Sequence, residues 1–188
     1  SYMAAFLACS HANVRMLPWR ETSFSIEKVA ALSNATGLLQ FSSDIGLGEM
    51  EILPLNEEFR PMGGAGDLVM MTSGSSGEPK GVLLDVEKVV LNNTAAGCIV
   101  QPDRCDIWAI DLDMALMSAT SHMIMAWQYK IPLYHLTGLD DATINKIFSK
   151  SKVGFGGAPI QLLRLIKILE QPNSPFMLFS SGDFLTRE

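Results

Sequence analysis

Residues 72–81 read Thr-Ser-Gly-Ser-Ser-Gly-Glu-Pro-Lys-Gly, and hydroxyls, glycines and one lysine in this order have the chemistry of a phosphate cradle. Gly74 and Gly77 let successive backbone N–H groups turn towards an anion without steric conflict. The hydroxyls of Thr72, Ser73, Ser75 and Ser76 add donors, and Lys80 adds a mobile positive charge. A polyphosphate is the natural guest. Apolar runs flank the loop, Leu68-Val69-Met70-Met71 before it and Val82-Leu83-Leu84 after it. These predict two strands that hold the loop from either side.

The run is not a Walker A loop, which needs a second glycine, then lysine and a helix at once. Counting from Gly74, the second glycine falls on Pro79, and β-prone residues come next. A serine hydrolase elbow fails as well, because Gly74-Ser75-Ser76-Gly77-Glu78 lacks the closing glycine. His11, His122 and His135 are far apart in sequence and show no metal spacing. His122 lies in an apolar, methionine-rich segment and reads as a core histidine. Asp111 and Asp113 read as turn or cap residues, and Asp140 and Asp141 as caps of the next helix.

Composition bounds the class. The chain has 188 residues, 48% hydrophobic and 18% charged, enough for one core of ordinary size. A net charge of −6 without a lysine or arginine cluster argues against a nucleic-acid partner. Cys9, Cys98 and Cys105 fit no metal pattern and read as reduced, buried thiols, which points to the cytoplasm. Residues 1–8 are apolar but lack a basic leader, so they read as a helix entered partway, not a signal peptide. The methionine-rich stretch 112–127 is broken by Asp113, Ser118, Thr120, Ser121 and His122, short of the ~18 apolar residues of a membrane span. It predicts a buried core helix and no membrane span.

The elements that must position the loop alternate along the chain. Strands are predicted at 12–17, 38–41, 106–112, 131–136 and 176–179, besides the two flanking the loop. Helices are predicted at 25–33 with Ser25 as N-cap, from Asp85 through Asn93, over 141–149, and over 160–170 behind a first-turn Pro159. Residues 43–51 read as an acidic, glycine-bearing stretch, and 61–66 as a Pro/Gly segment. Such alternation predicts an α/β fold, a layered, largely parallel sheet with flanking helices.

Residues 69–81 match, at every position, apolar-x-x-Thr-Ser-Gly-Ser/Thr-Ser/Thr-Gly-x-Pro-Lys-Gly. On this signature the chain resembles the adenylate-forming superfamily of acyl-CoA synthetases, fatty acyl-AMP ligases, nonribosomal peptide synthetase adenylation domains and luciferases. Residues 2–18, with Ala5, Ala8, Ala12 and Pro18, are similar to the stretch before that loop, with Asn13 at a glycine position. Residues 108–117 look like the family's Trp-Leu-Pro-x-Tyr-His-Asp-Met-Gly-Leu segment, with its histidine falling on Leu112 and its glycine on Ala115. Residues 180–186 resemble its Ser-Gly-Gly-Ala-Pro-Leu turn, which implies that Ser181, Gly182 and Asp183 lie against the adenine. Read without the family, those residues form an Asp-containing turn after a strand.

The resemblance implies ATP-dependent activation of a carboxylic acid to an acyl-adenylate, with release of pyrophosphate. The loop would hold the β- and γ-phosphates, and Lys80 would offset charge on the leaving group. It implies Mg²⁺ carried with ATP, and CoA or a carrier protein as a possible acceptor of the acyl group. The family's aromatic-Gly-x-Thr-Glu motif, whose glutamate holds the metal, and its lysine-bearing C-terminal domain are expected beyond Glu188. Residues 1–188 are thus expected to be a partial AMP-binding domain, inactive alone, with no catalytic residue of its own. Two other readings stay open: a degenerate homologue that binds nucleotide or a partner without turnover, and an unrelated phosphate-binding α/β module.

Overall fold

A computed structural model describes residues 2–12, 14–19, 25–33, 37–41, 50–54, 68–72, 80–169 and 177–180. The chain divides into two compact units, Ser1–Lys88 and Val89–Glu188. In the first, helix α1 (Tyr2–His11) contains no glycine, proline or β-branched residue, and it buries Ala5 and Phe6. Helix α2 (Ile26–Ser33) starts where the hydroxyl of Ser25 accepts from Lys28 N at 3.4 Å, and it buries Val29 and Ala30. Strands β1 (Gly37–Phe41) and β2 (Met50–Pro54) pair antiparallel, with Gly37 opposite Pro54. The second of these was not predicted, its first two residues, Met50 and Glu51, having read as the end of an acidic stretch.

Strands β3 (Leu68–Thr72) and β4 (Lys80–Leu84) form a second antiparallel pair. Leu68, Val69 and Met70 are buried, whereas β4 is exposed along most of its length. Among the described residues of 12–17 the expected strand does not form. Helix α1 runs to His11, and Met16 alone bridges to Leu68, its carbonyl accepting from Val69 N at 2.8 Å. Pro18, two residues on, has no N–H with which to extend a ladder.

The second unit is a parallel sheet with helices on both faces. Its four strands, β5 (Ile107–Ile110), β6 (Leu133–His135), β7 (Val153–Gly157) and β8 (Met177–Ser180), lie in the order β6-β5-β7-β8, all parallel. This bears out the α/β class. Side chains alternate across a strand, so β5 feeds two cores. Trp108 and Ile110 join Val100 of α3 (Val86–Val100) and Ala119, Met125 and Ala126 of α4 (Met117–Gln128). Ile107 and Ala109 join Ile144 and Phe148 of α5 (Asp141–Lys150), and Leu162 and Leu165 of α6 (Pro159–Ile168). A short 3₁₀ turn, Pro102–Arg104, leads into β5.

The local signals explain the helix starts. Asp85 Oδ1 accepts from Glu87 N at 2.9 Å and Lys88 N at 3.3 Å, capping α3. Asp140 caps α5, its Oδ1 accepting from Thr143 N at 2.7 Å and its Oδ2 from the Thr143 hydroxyl at 3.0 Å. Pro159 opens α6, and Gln161 Oε1 accepts from Ala158 N at 2.6 Å. The methionine-rich helix is buried as expected, with Met123, Ile124 and Met125 almost wholly inside. No described helix is long and apolar enough to cross a membrane.

Strand β7, Val-Gly-Phe-Gly-Gly, escaped prediction because glycine weakens every strand signal. The structure supplies the reason for the glycines. A side chain at Gly154 would be driven into the ring of Trp108, and one at Gly156 into the imidazole of His122. Trp108 has no exposed surface and cannot yield. Gly154→Ala is therefore expected to cost about 1–3 kcal/mol of stability through overpacking, read as a lower urea midpoint at pH 7. An unchanged midpoint would show that the indole can move aside.

Candidate functional site

Of the loop expected to cradle phosphate, only the two ends lie within the described residues. The β3–β4 ladder closes on the pair Thr72 and Lys80, directly opposite each other. Thr72 Oγ1 donates to the Lys80 carbonyl at 3.3 Å, and both residues are exposed. Ser73, Gly74, Ser75, Ser76 and Gly77 lie outside the described residues, as do Ser181, Gly182 and Asp183 beyond the end of β8. Thr72 differs from the expectation in one respect: its hydroxyl proton is engaged across the mouth of the hairpin.

A second polar group, which no sequence pattern assembled, lies at the carboxyl ends of the parallel strands. Asp111 comes directly after β5. Its Oδ1 accepts from the Thr137 hydroxyl at 2.8 Å and its Oδ2 from Arg164 Nη1 at 3.2 Å. The Asp111 side chain is 14% exposed and that of Arg164 52%. Beside them His135 Nε2 lies 2.7 Å from the Leu112 carbonyl, an acceptor only, so that nitrogen carries the proton. Asp113 does serve as a turn group, its Oδ1 accepting from Ala115 N at 2.9 Å, whereas both Asp111 oxygens go to distant partners instead. Asp111's partners stand 26 and 53 residues away in sequence. No local spacing could have revealed them.

Leu112 is buried in the core between β5 and α4. His122 is buried too, as expected. It stacks on Trp108 with ring centroids 5.7 Å apart and an interplanar angle of 29°. Among the cysteines, the expectation of buried thiols fails for Cys98, which is exposed on α3. Cys9 and Cys105 are half-buried, and burial pushes both thiols up, with Asp106 and Asp103 adding to the effect at Cys105. Among the described residues no His, Cys, Asp and Glu cluster could hold a metal ion.

No family model matches the chain. No curated protein is significantly similar to it. Among solved structures it is similar to ATP-bound MatB from Rhodopseudomonas palustris, at 18% identity and a TM-score of 0.44 over 56% of this chain. The match covers 20% of the MatB chain, so this chain spans about a fifth of that protein.

Burial lowers the His122 pKa from 6.5 to about 4, because the buried imidazolium would be stripped of water. The unfolded chain takes up a proton near pH 6.5 that the folded chain refuses until about pH 4. The stability this neutral histidine contributes is present in full above pH 6.5 and is lost as the pH falls through 4. The loss expected from this group is about 3 kcal/mol. Urea midpoints at pH 7, 5.5 and 4.5 measure it. His122→Leu should flatten that profile, and an equally steep profile in the variant would place the titration elsewhere.

Proposed function

We propose that this chain is part of an ATP-dependent enzyme that activates a carboxylic acid as its adenylate, releasing pyrophosphate. The observation that carries the reading is the hairpin mouth, where Thr72 and Lys80 face each other at either end of a hydroxyl- and glycine-rich loop. In this reading the backbone N–H groups and hydroxyls of Ser73, Gly74, Ser75, Ser76 and Gly77 bind the β- and γ-phosphates. Lys80 balances the charge that builds on the departing pyrophosphate, and Thr72 holds the loop's two ends together. Ser181, Gly182 and Asp183 lie against the adenine. Catalysis of this kind is positioning and charge stabilisation.

Mg²⁺ would arrive with the nucleotide. Its protein ligand, the lysine that reaches the α-phosphate, and the acceptor, whether CoA or a carrier protein, belong to the remainder of the enzyme in this proposal. Residues 1–188 would then be one part of its AMP-binding domain. A second reading has one observation in its favour. Leu112, buried and apolar, stands where an acid-activating relative would present a histidine, as in a homologue that binds nucleotide without turning it over.

Lys80→Ala in the complete protein should weaken Mg·ATP binding at least tenfold, measured by isothermal titration calorimetry. Unchanged affinity would remove the phosphate-loop assignment. Pyrophosphate release on adding a carboxylic acid separates the two readings, since a non-catalytic homologue gives none.

A further inference from the structure

The carboxyl edge of the parallel sheet carries a small recess with a polar rim. The strand order β6-β5-β7-β8 places β5 beside β7. The chain leaves β5 for α4, packed on one face, and leaves β7 for α6, packed on the other. Adjacent strands whose connections diverge in this way leave a crevice beyond their carboxyl ends, and ligands of open α/β sheets bind there. Asp111, Gln161 and Arg164 rim a small recess at this edge, with Leu136, Phe155 and Leu165 among the apolar residues of its floor.

Arg164 reaches these strand ends through its bond to Asp111. Arg104, Lys130, Lys150 and Lys152 lie in the connections that enter β5, β6 and β7, at the opposite edge of the sheet. The Asp111 contact engages one nitrogen of the guanidinium, and half of the side chain stays open to solvent. A guanidinium has five N–H donors in a rigid fork suited to a carboxylate. Asp111 does not demand a second of them, because Thr137 satisfies its other oxygen. The aspartate therefore holds the fork through one nitrogen, and with half of the side chain exposed its other donors are available to an anion.

We infer that Arg164, held by Asp111, is the specificity-determining residue that takes the carboxylate of the acid substrate at the carboxyl edge of this sheet. The inference rests on the acid-activation reading and deepens it. Asp111 and Thr137 act as positioning residues through Arg164.

The test uses the complete protein and pyrophosphate release from Mg·ATP. Straight-chain acids from acetate to laurate, benzoate and the common amino acids serve as probes, each supplied separately. For the acid that the unmodified protein uses, Arg164→Gln is expected to raise KM for the acid at least tenfold and to leave KM for Mg·ATP within twofold. Arg164→Lys should recover part of the loss, since a charge remains but the fork does not. Asp111→Asn should raise the acid KM by a smaller factor with no change for Mg·ATP. The inference is overturned if Arg164→Gln leaves the acid KM within twofold, or if it shifts both KM values and the melting temperature together, as a structural clamp would. Absence of pyrophosphate release from the unmodified protein with every acid overturns the acid-activation reading itself, and the role of Arg164 with it.

Discussion

The second unit depends on how closely two ring systems approach the backbone of β7. Trp108 and His122 lie against Gly154 and Gly156, where no side chain could stand. Close packing of this kind carries much of a core's dispersion energy, because a flat ring over bare backbone leaves few voids. It also makes β7 two-sided. One side is bare backbone, and the other presents Val153 and Phe155, both wholly buried, to α5 and α6. The same strand thus serves as floor for one core and wall for the other. The cost is polar: His122 is enclosed, and burial holds it neutral down to about pH 4.

Fixing β5 in this way also fixes the residues just beyond its carboxyl end. Residues 107–110 are buried without exception, and the chain meets its first charge at Asp111, as it leaves the sheet. A carboxylate inside the strand would face a desolvation cost of several kcal/mol; at the strand's end it finds Thr137 and Arg164 instead. The bonds from Thr137 and His135 tie the end of β6 to the end of β5, and Arg164 ties α6 to the same point. Polar groups gather at this edge because the sheet interior excludes them. Their long sequence separations arise from parallel topology, in which neighbouring strand ends are at least one helix apart along the chain.

What the sequence made legible was whatever is encoded locally. Ser25, Asp85, Asp140 and Pro159 each announced a helix, because a cap acts within three residues of itself. The strands flanking the hydroxyl- and glycine-rich loop were legible as apolar runs bounded by turn residues. Strand β7 was not, since its glycines answer to Trp108 and His122, which stand 46 and 34 residues from their partners Gly154 and Gly156. The stretch 12–17 misled in the opposite sense: its apolar residues are real, but among its described residues Met16 alone finds a ladder partner. In the candidate sites the same division holds. The hydroxyl and glycine run could be read directly, whereas Asp111 with Thr137 and Arg164 required the fold.

The hairpin also constrains how its loop could stabilise an anion. In a Walker loop a helix begins at the phosphate, and its dipole supplies about half a positive charge. Here β4 continues from Lys80 to Leu84, and the next helix starts only after Asp85 has capped it. Strands have little net dipole, so a polyphosphate at this loop would gain no such help. Its charge would be met by backbone N–H groups, by hydroxyls, and above all by the ammonium of Lys80. That lysine opens an exposed edge of the hairpin, opposite Thr72, where its amino group is free to follow a phosphate. With no helix dipole to help, a single side chain would carry the full positive charge, and that makes Lys80 the residue on which the proposed phosphate recognition turns.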